Sequence, residues 1–373
     1  MSDHDDRSHV VRRRQLLGSA AAAALALAAG RAGAQPAKSA PAKDVAKAEG
    51  GSASLVARPP AGFVPLSLPG RIVRVDKANT LLDNGLWPKQ EAATAMLERA
   101  MSELTGESDL GRAFAKFVHP ADKVAIKPNG IAGRKGATMA ANKELVLAVV
   151  RGVIAAGVPA TNIHIYEQYP SFMAGTRIAD KAGVIDPDFP AGITTSVHEN
   201  KDATMDELPV AGGKTRYVRA FTEATAVINV TQIKDHGICG YTGTLKNITH
   251  GSIVNPHDFH AHNASPQIAQ LYAQRLVTSR VRLHVTDGFK LIYDEGPLDK
   301  NPARRIPHEA VYVCTDPVAM DVIGWGVVEK HRLDAGLPTL KDAGREPTYI
   351  RVASELGLGV FDKNHIRLRE VRI

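Results

Sequence analysis

From residue 60 onward, short apolar runs of strand length alternate with longer segments whose apolar positions recur at spacings of three and four. Residues 71–75, 123–126 and 162–166 read as strands. Residues 91–104 and 143–155 read as helices, the second with Asn142 as its cap and a stop at Gly157. The scheme then repeats. Residues 224–230, 281–286, 310–314 and 366–373 are strand-like; residues 266–276, 318–329 and 347–356 are helix-like. Asp316 as cap and Pro317 at the first helical position would start the helix after the strand at 310–314. This alternation predicts an α/β fold: a mostly parallel, doubly wound sheet with helices on both faces, divided into lobes at residues 60–190 and 220–373.

Composition narrows the function classes. Aromatic residues make up only 5% of the chain, which speaks against a base-stacking nucleic-acid platform. The formal net charge is +7, with no basic block after residue 60, so the charge suits solubility and anions and implies no nucleic-acid partner. The two cysteines, Cys239 and Cys314, cannot hold a four-cysteine iron–sulfur cluster. They can pair as one disulfide in an oxidising compartment, or lie buried as small hydrophobes.

The N-terminus carries a separate message. Arg13-Arg14 is followed by x-Leu-Leu, an Ala/Leu run from Ser19 to Gly30, and Ala32-Gly33-Ala34 before Gln35. This pattern predicts a twin-arginine signal over residues 1–34, an encounter with that export machinery, and a periplasmic or otherwise exported mature protein. The apolar run is too short to span a bilayer comfortably, so no stable membrane span is expected after cleavage; a retained anchor is the alternative. Residues 35–59, rich in Ala, Pro, Lys and Ser, read as a flexible linker to an α/β domain over residues 60–373.

In open α/β sheets, ligands bind outside the carboxyl ends of the strands. Polar residues gather at such positions here: Lys127 and Asn129, Glu167, Asn229, Lys234 to His236, Asp287, Glu295, Asp316 and Asp321. Each alone can be a cap or a turn residue. The densest stretch runs through Lys246, Asn247 and His250 to His257, His260 and His262, placing four histidines within thirteen residues. His260 and His262 could share one side of an extended strand, and His257 and His260 one face of a helix. Three readings stand: a solvated histidine-rich loop, a metal site, or anion binding by Lys127, Lys234 and Lys246 beside neutral histidines.

These clusters, in this order, resemble the DUF362 family over roughly residues 70–360. The resemblance rests on Lys127-Pro128-Asn129, Glu167, Asn229 with Lys234-x-His236, Thr242-Gly243-Thr244-Leu245-Lys246-Asn247, Asp287 with Glu295-Gly296-Pro297, and Asp316-Pro317-x-x-x-Asp321. Some members of that family carry ferredoxin-like modules; this chain lacks the cysteines for one. The first expectation is therefore a metal-assisted enzyme in the cell envelope acting on a small anionic substrate. One divalent transition metal would sit on His236, His257, His260 and His262. Lys127, Asn129, Lys234, Lys246 and Asn247 would hold the substrate, and Glu295, Asp287 and Glu167 would supply carboxylate chemistry. Two alternatives are a periplasmic metal- or anion-binding protein that closes about a hinge near residues 190–222, and a redox partner using an external cofactor.

Overall fold

The computed structural model describes residues 55–373 except residues 134 and 135. The expected export signal and most of the expected linker lie outside the described residues.

In chain order the strands are β1 (Arg71–Asp76), β2 (Val124–Pro128), β3 (Ile163–Glu167), β4 (Thr194–Val197), β5 (Leu208–Val210), β6 (Gly213–Thr215), β7 (Ala226–His236), β8 (Gly240–Thr242), β9 (Val281–Ile292), β10 (Arg305–Cys314) and β11 (Arg367–Arg372). The helices are α1 (Gln90–Thr105), α2 (Leu110–Phe114), α3 (Lys143–Ala155), α4 (Pro170–Thr176), α5 (Arg219–Thr222), α6 (Thr244–Thr249), α7 (Ala261–Ala264), α8 (Gln267–Tyr272), α9 (Arg275–Thr278), α10 (Pro317–Asp334) and α11 (Tyr349–Glu355). A nine-stranded sheet runs β11-β1-β10-β9-β7-β2-β3-β4, with β8 hairpinned onto β7. The block β9-β7-β2-β3-β4 is parallel, while β10 is antiparallel to both neighbours. Strands from both halves of the chain share this sheet, and β1 lies between β10 and β11. The expected division into lobes is thus bridged by one continuous layer.

Period-two alternation sorts each strand's side chains between two cores. Val73 and Val75 of β1, Ile126 of β2, Ile228 and Val230 of β7, and Val311 and Val313 of β10 face the core built with α1, α2 and α3. Their neighbours Ile72, Ala125, Val227, Tyr312 and Cys314 face the opposite core, built with α6, α8, α10 and α11. The sheet is covered on both faces, as the βα alternation predicts. Among the described residues no helix is long and apolar enough to cross a membrane.

Several boundaries differ from the sequence reading. β7 and β9 run on through Lys234–His236 and past Asp287, because those polar side chains find partners inside the fold. A register shift between Gln232 and Lys234 accommodates the extra length. The helix expected over residues 266–276 is split into α8 and α9. Asn142 starts α3 but its side chain does not cap it; it donates to Asp287 instead, at 2.8 Å. Both cysteines are free and buried.

Asp316 does cap α10, accepting from the amide of Ala319 at 2.8 Å. It also accepts from the amides of Gly70 at 2.8 Å and Val360 at 3.0 Å. One buried carboxylate therefore ties the start of β1, the start of α10 and the C-terminal segment. Replacing Asp316 with Ala removes a cap and strands two buried amides, a loss of about 2–4 kcal/mol. Urea unfolding should show it as a lowered midpoint, with Asp316→Asn in between; an unchanged midpoint for the Ala variant would show that the three segments hold without this tie.

Candidate functional site

Lys127, on β2, is 1% exposed, and its Nζ lies 2.7 Å from Glu167 Oε1 at the end of β3. The same Nζ donates to the carbonyl of Pro128 at 2.7 Å, and Glu167 accepts from the amide of Gly130 at 2.7 Å. Burial lowers the lysine pKa and the Glu167 charge works against that shift. This pair is closed on itself.

Lys234, on β7, is closed in another way. Its Nζ donates to Asn129 Oδ1 at 2.9 Å and to the carbonyls of Ile131 and Met139 at 2.5 and 2.6 Å. Those three acceptors match its three donors. Burial lowers its pKa to about 7 against the opposing charges of Asp287, Glu167 and Asp299. Asn129 in turn meets Asn247, which donates to Asn229 Oδ1 at 2.7 Å and to the carbonyl of Lys127 at 3.2 Å. Asn229 bonds to the carbonyl of Thr244 and to His284 Nδ1. Side chains from β2, β3, β7 and α6 thus meet one another, and most of their contacts form an internal lattice.

Asp287 and Glu295 do not join an open site. Asp287 is fully buried, accepts from Asn142 N and Nδ2 at 2.6 and 2.8 Å, and has its pKa raised by burial. Glu295 has a side chain 44% exposed and faces Arg304 and Asn301. A general-base role for Glu295 therefore lacks support from its placement.

One lysine is different. Gly243 admits the start of α6 into close quarters: a Cβ there would fall 2.3 Å from Asp321 Oδ1 and 2.5 Å from the ring of Tyr241. Asp321, on α10, then holds the helix start by accepting from Thr244 N and Oγ1, both at 2.6 Å, and from Leu245 N at 3.1 Å. Burial raises the Asp321 pKa to about 7. Anchored so, α6 sends Asn247 into the sheet lattice and Lys246 elsewhere. Lys246 is 6% exposed, and its Nζ has no hydrogen-bond or ion-pair partner among the described residues. Its charge bears on His236, His250 and His260 and, after burial, is the largest influence lowering the pKa of each.

The rings form one group. His236, at the end of β7, stacks with His260 at 5.8 Å between centroids; His250, one helical turn beyond Lys246, meets His260 edge-on at 4.7 Å; His257 lies 6.2 Å from His260. His260 follows a short 3-10 turn over Pro256–Phe259, not a strand. His262 is exposed, with φ of 51°, and makes none of these ring contacts, so it falls outside the group that the sequence spacing suggested. His250, not among the expected ligands, takes its place; the clue in the sequence was its i,i+4 spacing from Lys246. Arg345, 99 residues beyond Lys246 and absent from the sequence reading, bonds Asp235 Oδ1 at 2.5 Å and the carbonyl of His236 at 3.0 Å, clasping the floor of the group.

The donor set does not suit the expected metal. Both ring nitrogens of His250 are engaged, with Thr249 Oγ1 at 3.2 Å and the carbonyl of Phe259 at 3.0 Å. His236 Nδ1 accepts from the amides of Ile238 and Cys239. An ammonium among the rings opposes a divalent cation. Among the described residues, no three His, Cys, Asp or Glu side chains are placed to hold a metal ion. Two surface cavities, of about 530 and 340 Å³, lie away from the group, beside Lys143 and Arg151 and beside Lys123 and His164 respectively.

Fold and site together define a doubly wound α/β protein with a closed polar lattice at its strand ends and one open lysine–histidine group. The chain belongs to the DUF362 family: the family model, described as a domain of unknown function, matches residues 124–326, more than half of the sequence. No curated protein matches it. Among solved structures it is similar to the lactate racemase apoprotein from Thermoanaerobacterium thermosaccharolyticum, at 15% identity and a TM-score of 0.39, covering 71% of this chain and 59% of that one. The chain thus matches less than two thirds of that protein's length.

The buried neutral histidines set a pH dependence. Burial lowers the pKa of His260, His284 and His308 from 6.5 to about 3, and those of His236 and His250 well below 6.5. The unfolded chain binds more protons between those values, so stability is lost as pH falls from about 6.5 towards 3. Asp235 and Asp321, raised to about 6 and about 7, act oppositely and are outnumbered. Denaturant midpoints should therefore drop between about pH 7 and pH 5, and a flat profile would show that these rings are solvated.

Proposed function

We propose that the protein binds a small oxyanion at the Lys246–histidine group. The observation that carries this reading is Lys246, a residue only 6% exposed whose ammonium has no partner among the described residues. A buried ammonium without a counter-charge is costly, and a bound anion would supply the missing charge and acceptors together. His236 adds a second donor. Its Nδ1 accepts backbone amides, so the ring proton sits on Nε2, which has no partner among the described residues.

Lys127 and Lys234 contribute by rigidity. Lys127 is ion-paired with Glu167 and Lys234 is saturated by protein oxygens, so they shape the wall behind α6 rather than touch the ligand. A metal-assisted reaction has less support, because the rings do not form a ligand set. Among the described residues no carboxylate bonds to Lys246 or to the rings of the group, which favours binding over turnover. The Arg13-Arg14 leader supports an exported location, where such a protein would meet free small anions.

Replacing Lys246 with Met is the direct test. It should abolish the rise in melting temperature that phosphate, sulfate, acetate or glycolate gives the natural chain. It should also make the ligand-free protein more stable by ~1–3 kcal/mol, since an unpaired buried charge is gone. If none of these anions stabilises the natural chain, or if Lys246→Met loses stability instead, the site is not an anion site. Stabilisation by a divalent transition metal alone would restore the metal reading.

A further inference from the structure

The ring of His260 says more about the ligand, given the anion reading above. Its Nδ1 lies 2.8 Å from the carbonyl of Pro256, which can only accept. The proton is therefore on Nδ1, and Nε2 carries a lone pair. That nitrogen has no partner among the described residues. His260 stands between His236 and His250, with centroid separations of 5.8 and 4.7 Å. His250 cannot change the balance, because both of its nitrogens are already engaged. Apart from His257, which is exposed, the group thus offers two donors, Lys246 Nζ and His236 Nε2–H, and one acceptor, His260 Nε2.

We propose that the site selects oxyanions that also carry a hydroxyl: the oxyanion takes the two donors and the hydroxyl donates to His260 Nε2. Hydrogen phosphate and a hydroxycarboxylate share this chemistry. Sulfate and a plain carboxylate lack the hydrogen, and would set an oxygen lone pair against the nitrogen's own. For them to bind equally, His260 would have to take up a proton. Burial and the Lys246 charge oppose that, holding its pKa at about 3.

Calorimetric titration of the full chain at about pH 7.5 with two matched pairs tests this. Phosphate is compared with sulfate, and glycolate with acetate. The hydroxyl-bearing member should bind more tightly by ~10–100-fold, the usual consequence of making or losing one hydrogen bond within a binding site. The pair that discriminates identifies the source, phosphate or hydroxycarboxylate. The variant His260→Leu, which keeps both donors, should bring the ratio near one by weakening the hydroxyl-bearing ligand. Equal affinities within both pairs in the natural chain would overturn the selectivity while leaving anion binding intact. Binding by none of the four would overturn both. A natural-chain preference that survives unchanged in a folded His260→Leu variant would assign the selectivity to another group and overturn the role of His260.

Discussion

An ammonium taken out of water needs a carboxylate or a full set of acceptors, and that requirement shapes the carboxyl edge of this sheet. Lys127 meets it with Glu167, and Lys234 with three oxygens. Both arrangements pull loops and strands together: the first joins β2 to β3, the second joins β7 to the segment from Asn129 to Met139. Lys246 meets neither condition. Its charge stays uncompensated, and the rings around it remain neutral partly because of it. Two lysines build the frame and the third has no partner among the described residues.

The frame and the open group are coupled through one turn of helix. Asn247 and Lys246 are adjacent on α6, yet one reaches into the lattice of Asn129 and Asn229 and the other into the histidines. Asp321 fixes the helix start, and Gly243 lets it come that close. A shift of α6 would break the asparagine contacts at the same time as it moved the ammonium. Short, fully buried and pinned at both sides, α6 holds Lys246 with little freedom, which limits the ordering cost of ligand capture.

Much of this was legible along the chain. The βα alternation gave the layers, because two-sided burial writes itself as apolar runs. Asp316-Pro317 marked the start of α10 through cap chemistry that is local in sequence. Polar residues inside β7 and β9 misled, since a lysine or aspartate within a strand looks like its end until its distant partner is known. The same blindness made Lys127, Lys234 and Lys246 look equivalent. Only partners about 40 to 105 residues away separate the first two from the third. The histidine spacing pointed to the right region but counted His262, which local backbone geometry turns outward, and passed over His250 as a ligand. Arg345 carried no local signal at all.

The contest between cation and anion turns on which atoms are still free. A divalent metal needs several lone pairs converging on one point. Here His250 has none to offer, His236 presents a proton where a ligand would present a lone pair, His257 is exposed, and His260 keeps its free lone pair beside an ammonium. Reversing that pattern would require breaking the amide contacts to His236 and removing the proton from Lys246. An anion asks for no such rearrangement, since Lys246 and His236 Nε2 already carry their protons. The arrangement that disfavours a metal is therefore also the one that suits the anion proposed for this group.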